Sequence, residues 1–235
     1  MSALRTALVL AATGAALAAG LAPAHADAST AVAIWELNEP AGSAVMTDTG
    51  PNHLNGVVGS EVVTGLNSDG ATGYDFAWLK PNTPPAHPAH GVTVAENDLL
   101  DPGTRDYAVT LRMRTTSNFG NVIQKGQGGV DGGRWKIEAP KGQIICTFQG
   151  SAGYVDIRST LTINDGKWHV VRCARTAKTV TVTIDGVLNG TKKGATGTIN
   201  NTWPLAIGGK VSCDQIKVTC DYFPGEIDRV QIDAS

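Results

Sequence analysis

The sequence predicts an all-β chain, two antiparallel sheets packed as a jelly-roll sandwich. Three observations carry this. Residues 164–190, NDGKWHVVRCARTAKTVTVTIDGVLNG, read as a three-stranded meander with one apolar face. Roughly a dozen short β-branched segments recur, separated by Gly, Pro, Asn and Asp, as expected of a sandwich with frequent turns. No window holds a 3.6-residue apolar period for more than about two turns, which argues against helices.

In chain order, residues 31–37 form a first strand that ends in the turn-rich Asn38-Glu39-Pro40-Ala41-Gly42. Residues 48–56 are a loop dense in turn formers, whose side chains bond their own backbone or fix φ. Short strands are predicted over 57–63 and 74–79. Residues 80–91 carry Pro81, Pro84, Pro85 and Pro88 with His87 and His90, a surface loop. Residues 106–115 alternate, with Tyr107, Val109, Leu111 and Met113 facing one way. Strands follow over 122–125, 134–139 and 143–149, with a brief one at 155–157. In the meander, Asp165-Gly166 turns into a strand over 167–176. Val180, Val182 and Ile184 then oppose three threonines. Asp185-Gly186 supplies the positive-φ pair of a tight hairpin. Residues 204–209 and 225–232 close the sheets, and there is no internal repeat.

Three segments carry a family resemblance. D-G-K-W-H-x-V followed by V-x-V-x-I-D-G resembles the centre of laminin G-like, concanavalin A-like jelly-roll domains. I-W-E-L-N-E-P-A-G…T-D-T-G-P-N-H-L-N-G is similar to their opening strand and loop. L-A-I-G-G…F-P-G-E-I-D-R-V-Q-I is similar to their closing strands. The resemblance spans Ile34 to Ile232 and implies the fold far more sharply than a function, because such folds host lectins, hydrolases, lyases and spacers.

Residues 1–26 read as a secretory signal peptide. Arg5 is the basic region, residues 7–21 the apolar run and Ala24-His25-Ala26 the cleavage site. Residues 27–235 are then expected to form a single laminin G-like β-sandwich domain, secreted and monomeric. No later stretch reaches the roughly 18 apolar residues a membrane helix needs. Loss of Arg5 leaves 18 basic against 21 acidic side chains, and no basic stripe exists, so nucleic acid is excluded as a partner. All four cysteines, Cys146, Cys173, Cys213 and Cys220, follow the leader, and an even count in an exported chain argues for disulfides. Their spacings do not offer the close pairs of a zinc site. Three connectivities are open. The preferred one joins Cys146 to Cys173, expected on neighbouring strands, and closes a short loop with Cys213–Cys220.

Catalytic residues are expected to be absent. The glucanases of the resembled superfamily carry E-x-D-x-x-E on one strand, and Glu226-Ile227-Asp228 matches its start. The sixth position is Gln231, an amide that cannot shuttle a proton. No nucleophile elbow is present. His169 is expected as a packed strand residue, and the loop pair His87 and His90 lacks a third ligand in sequence. The resemblance also implies a structural Ca²⁺ where first and last strands meet, with Glu39, Asp48, Asn52 and Asp228 as oxygen ligands. Sugar recognition uses aromatic platforms ringed by polar groups, and Trp78, Tyr154, Trp203 and Tyr222 are the candidate rings. Trp135 is a further ring near a strand end, whereas Trp35 and Trp168 are assigned to the core. The expected function is a secreted, non-catalytic module that binds carbohydrate or an extracellular protein. A polysaccharide hydrolase or lyase and a structural cell-surface protein are the alternatives.

Overall fold

The computed structural model describes residues 31–80, 85–210, 213 and 218–235. The leader reading of residues 1–26, and Pro81 and Pro84 of the proline-rich loop, lie outside them. Two eight-stranded antiparallel sheets account for every described strand. The first holds β1 (Ala31–Trp35), β4 (Val63–Ser68), β5 (Ala71–Phe76), β7 (Tyr107–Arg114), β12 (His169–Arg175), β13 (Thr179–Ile184), β14 (Val187–Lys193) and β16 (Gly225–Ala234). Its order is β14-β13-β12-β7-β16-β5-β4. The closing strand β16 is long enough to take two partners along one edge. Tyr74 to Phe76 of β5 pair with Gly225 to Ile227, and β1 pairs with Val230 to Asp233.

The second sheet holds β2 (Val45–Met46), β3 (Gly56–Val58), β6 (Val92–Val94), β8 (Asn121–Lys125), β9 (Arg134–Glu138), β10 (Gln143–Gly150), β11 (Gly153–Thr162) and β15 (Leu205–Ile207). Its order is β11-β10-β9-β8-β15-β6-β3-β2. The predicted meander is β12-β13-β14, with Asp185 and Gly186 both at positive φ in the hairpin turn. A type I′ turn needs that pair, because its twist matches the strands it joins.

The core lies between the sheets. Val180, Val182 and Ile184 of β13 and Val109, Leu111 and Met113 of β7 meet Ile137, Ile144 and Phe148 of the facing sheet. Trp135, the further ring near a strand end, is fully buried and offers no sugar platform. Its indole N–H and the Tyr107 hydroxyl both donate to the carbonyl of Leu100, at 3.2 and 2.8 Å. Both disulfides of the preferred connectivity form. Cys146 and Cys173 are not on neighbouring strands, however. β10 and β12 belong to opposite sheets, so the bridge crosses the core, where both inward-facing side chains are buried. Such bridges persist in oxidising compartments.

Two strand readings also change. Residues 57–63 are not one strand but the end of β3, a turn, and the start of β4 in the other sheet. The brief strand at 155–157 is the ten-residue β11, an edge strand with only two buried residues, which therefore lacks the alternating apolar signal.

Candidate functional site

One recess is built by three chain segments at one end of the second sheet. Residues 130–133, 149–151, Thr198 and Asn200 enclose about 340 Å³. Two features make the recess. Gly132 sits at φ +86, and a Cβ there would lie 1.9 Å from the carbonyl oxygen of Asn200. Only glycine lets the segments approach this closely. The second is a row across three strands: Gln149 pairs with Arg134 of β9 on one side and Tyr154 of β11 on the other. The Arg134 guanidinium lies 5.9 Å from the centre of the Tyr154 ring. Gln149 lines the recess itself, together with Asp131, Ser151 and Asn200. Tyr154, 49% exposed, is thus the cross-strand neighbour of a residue that lines the recess, whose polar groups include two amides and one carboxylate.

The other predicted rings fare differently. Trp78 is 68% exposed on the segment after β5. Trp203 is half-buried, and its backbone N–H donates to Asn201 Oδ1 at 3.0 Å. Tyr222 is only 5% exposed; it packs with the Cys213–Cys220 bridge and edge-on against His90, so it offers no open platform. Trp168, assigned to the core, instead lies on the outer face of the first sheet. The guanidinium carbons of Arg112 and Arg114 lie 4.9 and 5.0 Å from its ring centre. A cation over an indole face is held by the ring quadrupole.

That outer face also carries the carboxylates. Glu226 is held by Arg114 and Asp228 by Arg112, each at 2.7 Å. Asp75 stands opposite Glu226 across the β5–β16 pair. Burial, and then the Glu226 carboxylate, push the Asp75 pKa up against the pull of Arg114. Beside Asp228, a groove of about 260 Å³ is lined by Glu36, Thr110, Arg112, Val170 and Gln231.

The proposed calcium ligands do not fit a shared oxygen cage. Asp48 Oδ1 accepts from the backbone N–H groups of Ile34 and Gly50, both at 2.8 Å, and its Oδ2 accepts from Leu54 at 2.7 Å. The Glu39 carboxylate accepts from Tyr74 and from the Thr47 N–H, and Asn52 donates to the Val32 carbonyl. Asp48 and Asn52 pin the first loop to β1, Glu39 ties it to Tyr74 of β5, and Asp228 is paired with Arg112. Among the described residues, the acidic group whose oxygens lie within 4.8 Å of one another is a different one, Glu96, Asp98 and Asp101. There the Lys125 ammonium, 2.9 Å from Asp101, already supplies a cation.

His169 is not simply packed. Its ring bridges the two Asp-Gly turns, Nδ1 lying 2.7 Å from Asp185 Oδ2 and Nε2 lying 3.1 Å from Asp165 Oδ1. Sequence reasoning missed this, although the Asp165–His169 spacing and the two identical turn dipeptides were there to be read.

No curated protein matches the chain. Among solved structures, domain 4 of AbnA, an extracellular GH43 arabinanase from Geobacillus stearothermophilus in complex with arabinotriose, superposes with TM-score 0.63. Identity is 13%, over 88% of this chain and 93% of that one. The binding domain of botulinum neurotoxin serotype D gives 0.55 at 13% identity, over 87% of this chain and 46% of that one. A botulinum neurotoxin type C structure, whose cell entry is described as dependent on two ganglioside molecules, gives 0.56 at 14%, over 80% and 44%. The chain spans less than half the length of these toxin chains and of a laminin α1 LG4–5 chain. At such identities the likeness establishes the fold. A family model described as the concanavalin A-like lectin/glucanases superfamily matches residues 86–233, more than half of the sequence, and the chain belongs to that superfamily.

Proposed function

We propose that residues 27–235 form a secreted, non-catalytic module that binds carbohydrate through the groove beside Tyr154. One observation carries the reading: an exposed tyrosine ring stands in cross-strand register with Gln149, which lines a 340 Å³ recess together with Asp131, Ser151 and Asn200. A pyranose or furanose stacks its apolar C–H face on such a ring while its hydroxyls bond the surrounding amides. Sugar complexes on this architecture, such as the arabinotriose complex of AbnA domain 4, agree with it without fixing the ligand. Two disulfides, and the leader-like sequence of residues 1–26, support export.

A second reading, a glycoside hydrolase, is favoured by the Asp75–Glu226 pair. Retaining hydrolysis uses two carboxyls about 5 Å apart, and opposed residues on paired strands come about that close. Against it, Arg114 bonds Glu226 directly.

One experiment separates them. The mature protein is screened on a glycan array, and hits are titrated against wild type, Tyr154→Ala, Asn200→Ala and Glu226→Gln. We expect Tyr154→Ala to weaken binding at least tenfold, as losing a stacked ring contributes about 1.5 kcal/mol. Glu226→Gln should bind like wild type. Reducing-sugar release above the Glu226→Gln level would establish the hydrolase, and binding indifferent to Tyr154 would place the ligand elsewhere.

A further inference from the structure

On the outer face of the second sheet, Arg134, Gln149 and Tyr154 stand side by side on β9, β10 and β11. They point away from the core because their chain neighbours Trp135, Phe148 and Val155 point into it. Gln149 lines the recess, and so does Gly133, next to Arg134 in the chain. Arg134 is half-buried, and Gly128 of the preceding loop lies against it: a Cβ at Gly128 would fall 2.3 Å from Arg134 Nη1. The lack of a side chain there gives the guanidinium its place beside Tyr154.

This guanidinium is unusual in what it does not bond. Among the described residues it makes no hydrogen bond and no ion pair, and its Nε is buried and unpartnered. Its contact is with the Tyr154 ring, whose centre lies 5.9 Å away. The charges around it are paired with one another. Lys136, two residues on, is held by Glu138 at 2.6 Å, and Asp156, two residues on from Tyr154, by Lys192 at 2.8 Å. Asp131 lines the recess without forming an ion pair with Arg134. A partly desolvated guanidinium with five unused donors favours a bidentate acceptor, and a planar carboxylate matches its fork.

We propose that Arg134 makes the Tyr154 site selective for acidic glycans, by pairing with the carboxylate of a uronic or sialic acid residue stacked on the ring. The inference rests on the Tyr154 groove being the glycan site. Two charges set the orientation of the sugar. Asp131 repels a carboxylate from the recess and accepts hydroxyls there, whereas Arg134, alongside the ring, attracts it. The acidic group therefore lies on the β9 side of the ring, and the hydroxyls meet Gln149, Ser151 and Asn200.

The test uses the mature protein and two matched pairs of ligands. Trigalacturonate is compared with its carboxyl-reduced galactotriose, and 3′-sialyllactose with lactose, so the pairs separate a uronic from a sialic source. Calorimetric titration at low salt should show the acidic member of at least one pair binding tenfold or more tightly. About 1 M NaCl should remove most of that preference, because the screening length falls to about 3 Å. Arg134→Gln should erase the preference and leave binding of the neutral members unchanged. Arg134→Lys, which keeps the charge and loses the fork, should retain only part of it. Arg134 makes no hydrogen bond in the fold, so unchanged melts show that both variants fold. Tyr154→Ala should weaken acidic and neutral ligands alike, and no effect of that change would overturn the groove reading itself. If Tyr154→Ala weakens binding but acidic and neutral members bind equally, or Arg134→Gln keeps the preference, the inference about Arg134 alone is overturned. Absence of binding to both acidic ligands would overturn it too.

Discussion

His169 ties two turns with one ring, and its charge follows from its neighbours. Partial burial works against a charged imidazole, but the hydrogen bonds to Asp185 and Asp165 outweigh it and hold its pKa above the ordinary 6.5. Asp165 is held below the usual carboxylate range first by the Lys167 N–H and then by His169. Asp185 is pushed up by burial but pulled down further by His169 and the Val170 N–H. A group whose folded pKa is raised stabilises fully below its unfolded pKa and loses that stability as pH rises through the folded value. The aspartates behave oppositely, stabilising above about 3.8 and losing this as pH falls. The clamp is therefore strongest between about pH 4 and 6.5. Urea midpoints of wild type and His169→Gln should differ most near pH 5.5, and the difference should shrink as pH rises through the raised His169 pKa. A gap that stays constant from pH 5.5 to alkaline pH would show that the ring's ionisation is not coupled to folding.

Among the elements, the legible ones were those whose signal is local. Thr179–Ile184 alternates with period two because one of its faces is buried, and that pattern needs no partner to be seen. β11 was read as three residues because an edge strand buries little; its length is set by pairing with β10, from Gly150↔Gly153 to Gln143↔Thr162. The pairing of the cysteines was legible, but the layer they join was not. Cys146 and Cys173 are both inward-facing, and only the sheet order places β10 opposite β12. A bridge across the core ties the two layers, whereas Cys213–Cys220 closes a peripheral loop. By loop-closure entropy the 27-residue bridge contributes about 3–4 kcal/mol. Cys146→Ala/Cys173→Ala should accordingly lower the unfolding free energy by at least that much. Cys213→Ala/Cys220→Ala should cost roughly 1 kcal/mol less, measured by urea melts at fixed pH. Equal losses would mean that the core bridge constrains nothing the sheets do not already hold.

For the whole molecule, the sandwich was legible and its recesses were not. Tyr154 could be named as a ring, but the groove beside it is assembled from residues 130–133, 149–151 and 198–200, which no spacing rule connects. What gathers the loops at their end of the sandwich is a buried polar hub equally invisible in sequence. The Lys125 ammonium, fully buried, bonds Asp101 Oδ2 at 2.9 Å and the Asn201 carbonyl at 2.7 Å. The Asn201 side-chain amide donates to Asp101 Oδ1, and Trp203 N–H closes back onto Asn201. Burial pushes the Asp101 pKa up, and the Lys125 hydrogen bond pulls it back. Removing one partner strands a charge in the interior, which costs about 3–5 kcal/mol, whereas replacing both with apolar side chains is often neutral. Asp101→Leu should thus lower the melting temperature by about 10 °C, at 2–4 °C per kcal/mol for a chain this long. Lys125→Met should do the same, and the double variant should recover most of the loss. Because Asn200 lines the groove beside Asn201, the single variants should also weaken glycan binding where they leave the fold intact. Single and double variants with additive losses would show that the pair acts as two independent buried groups rather than one hub.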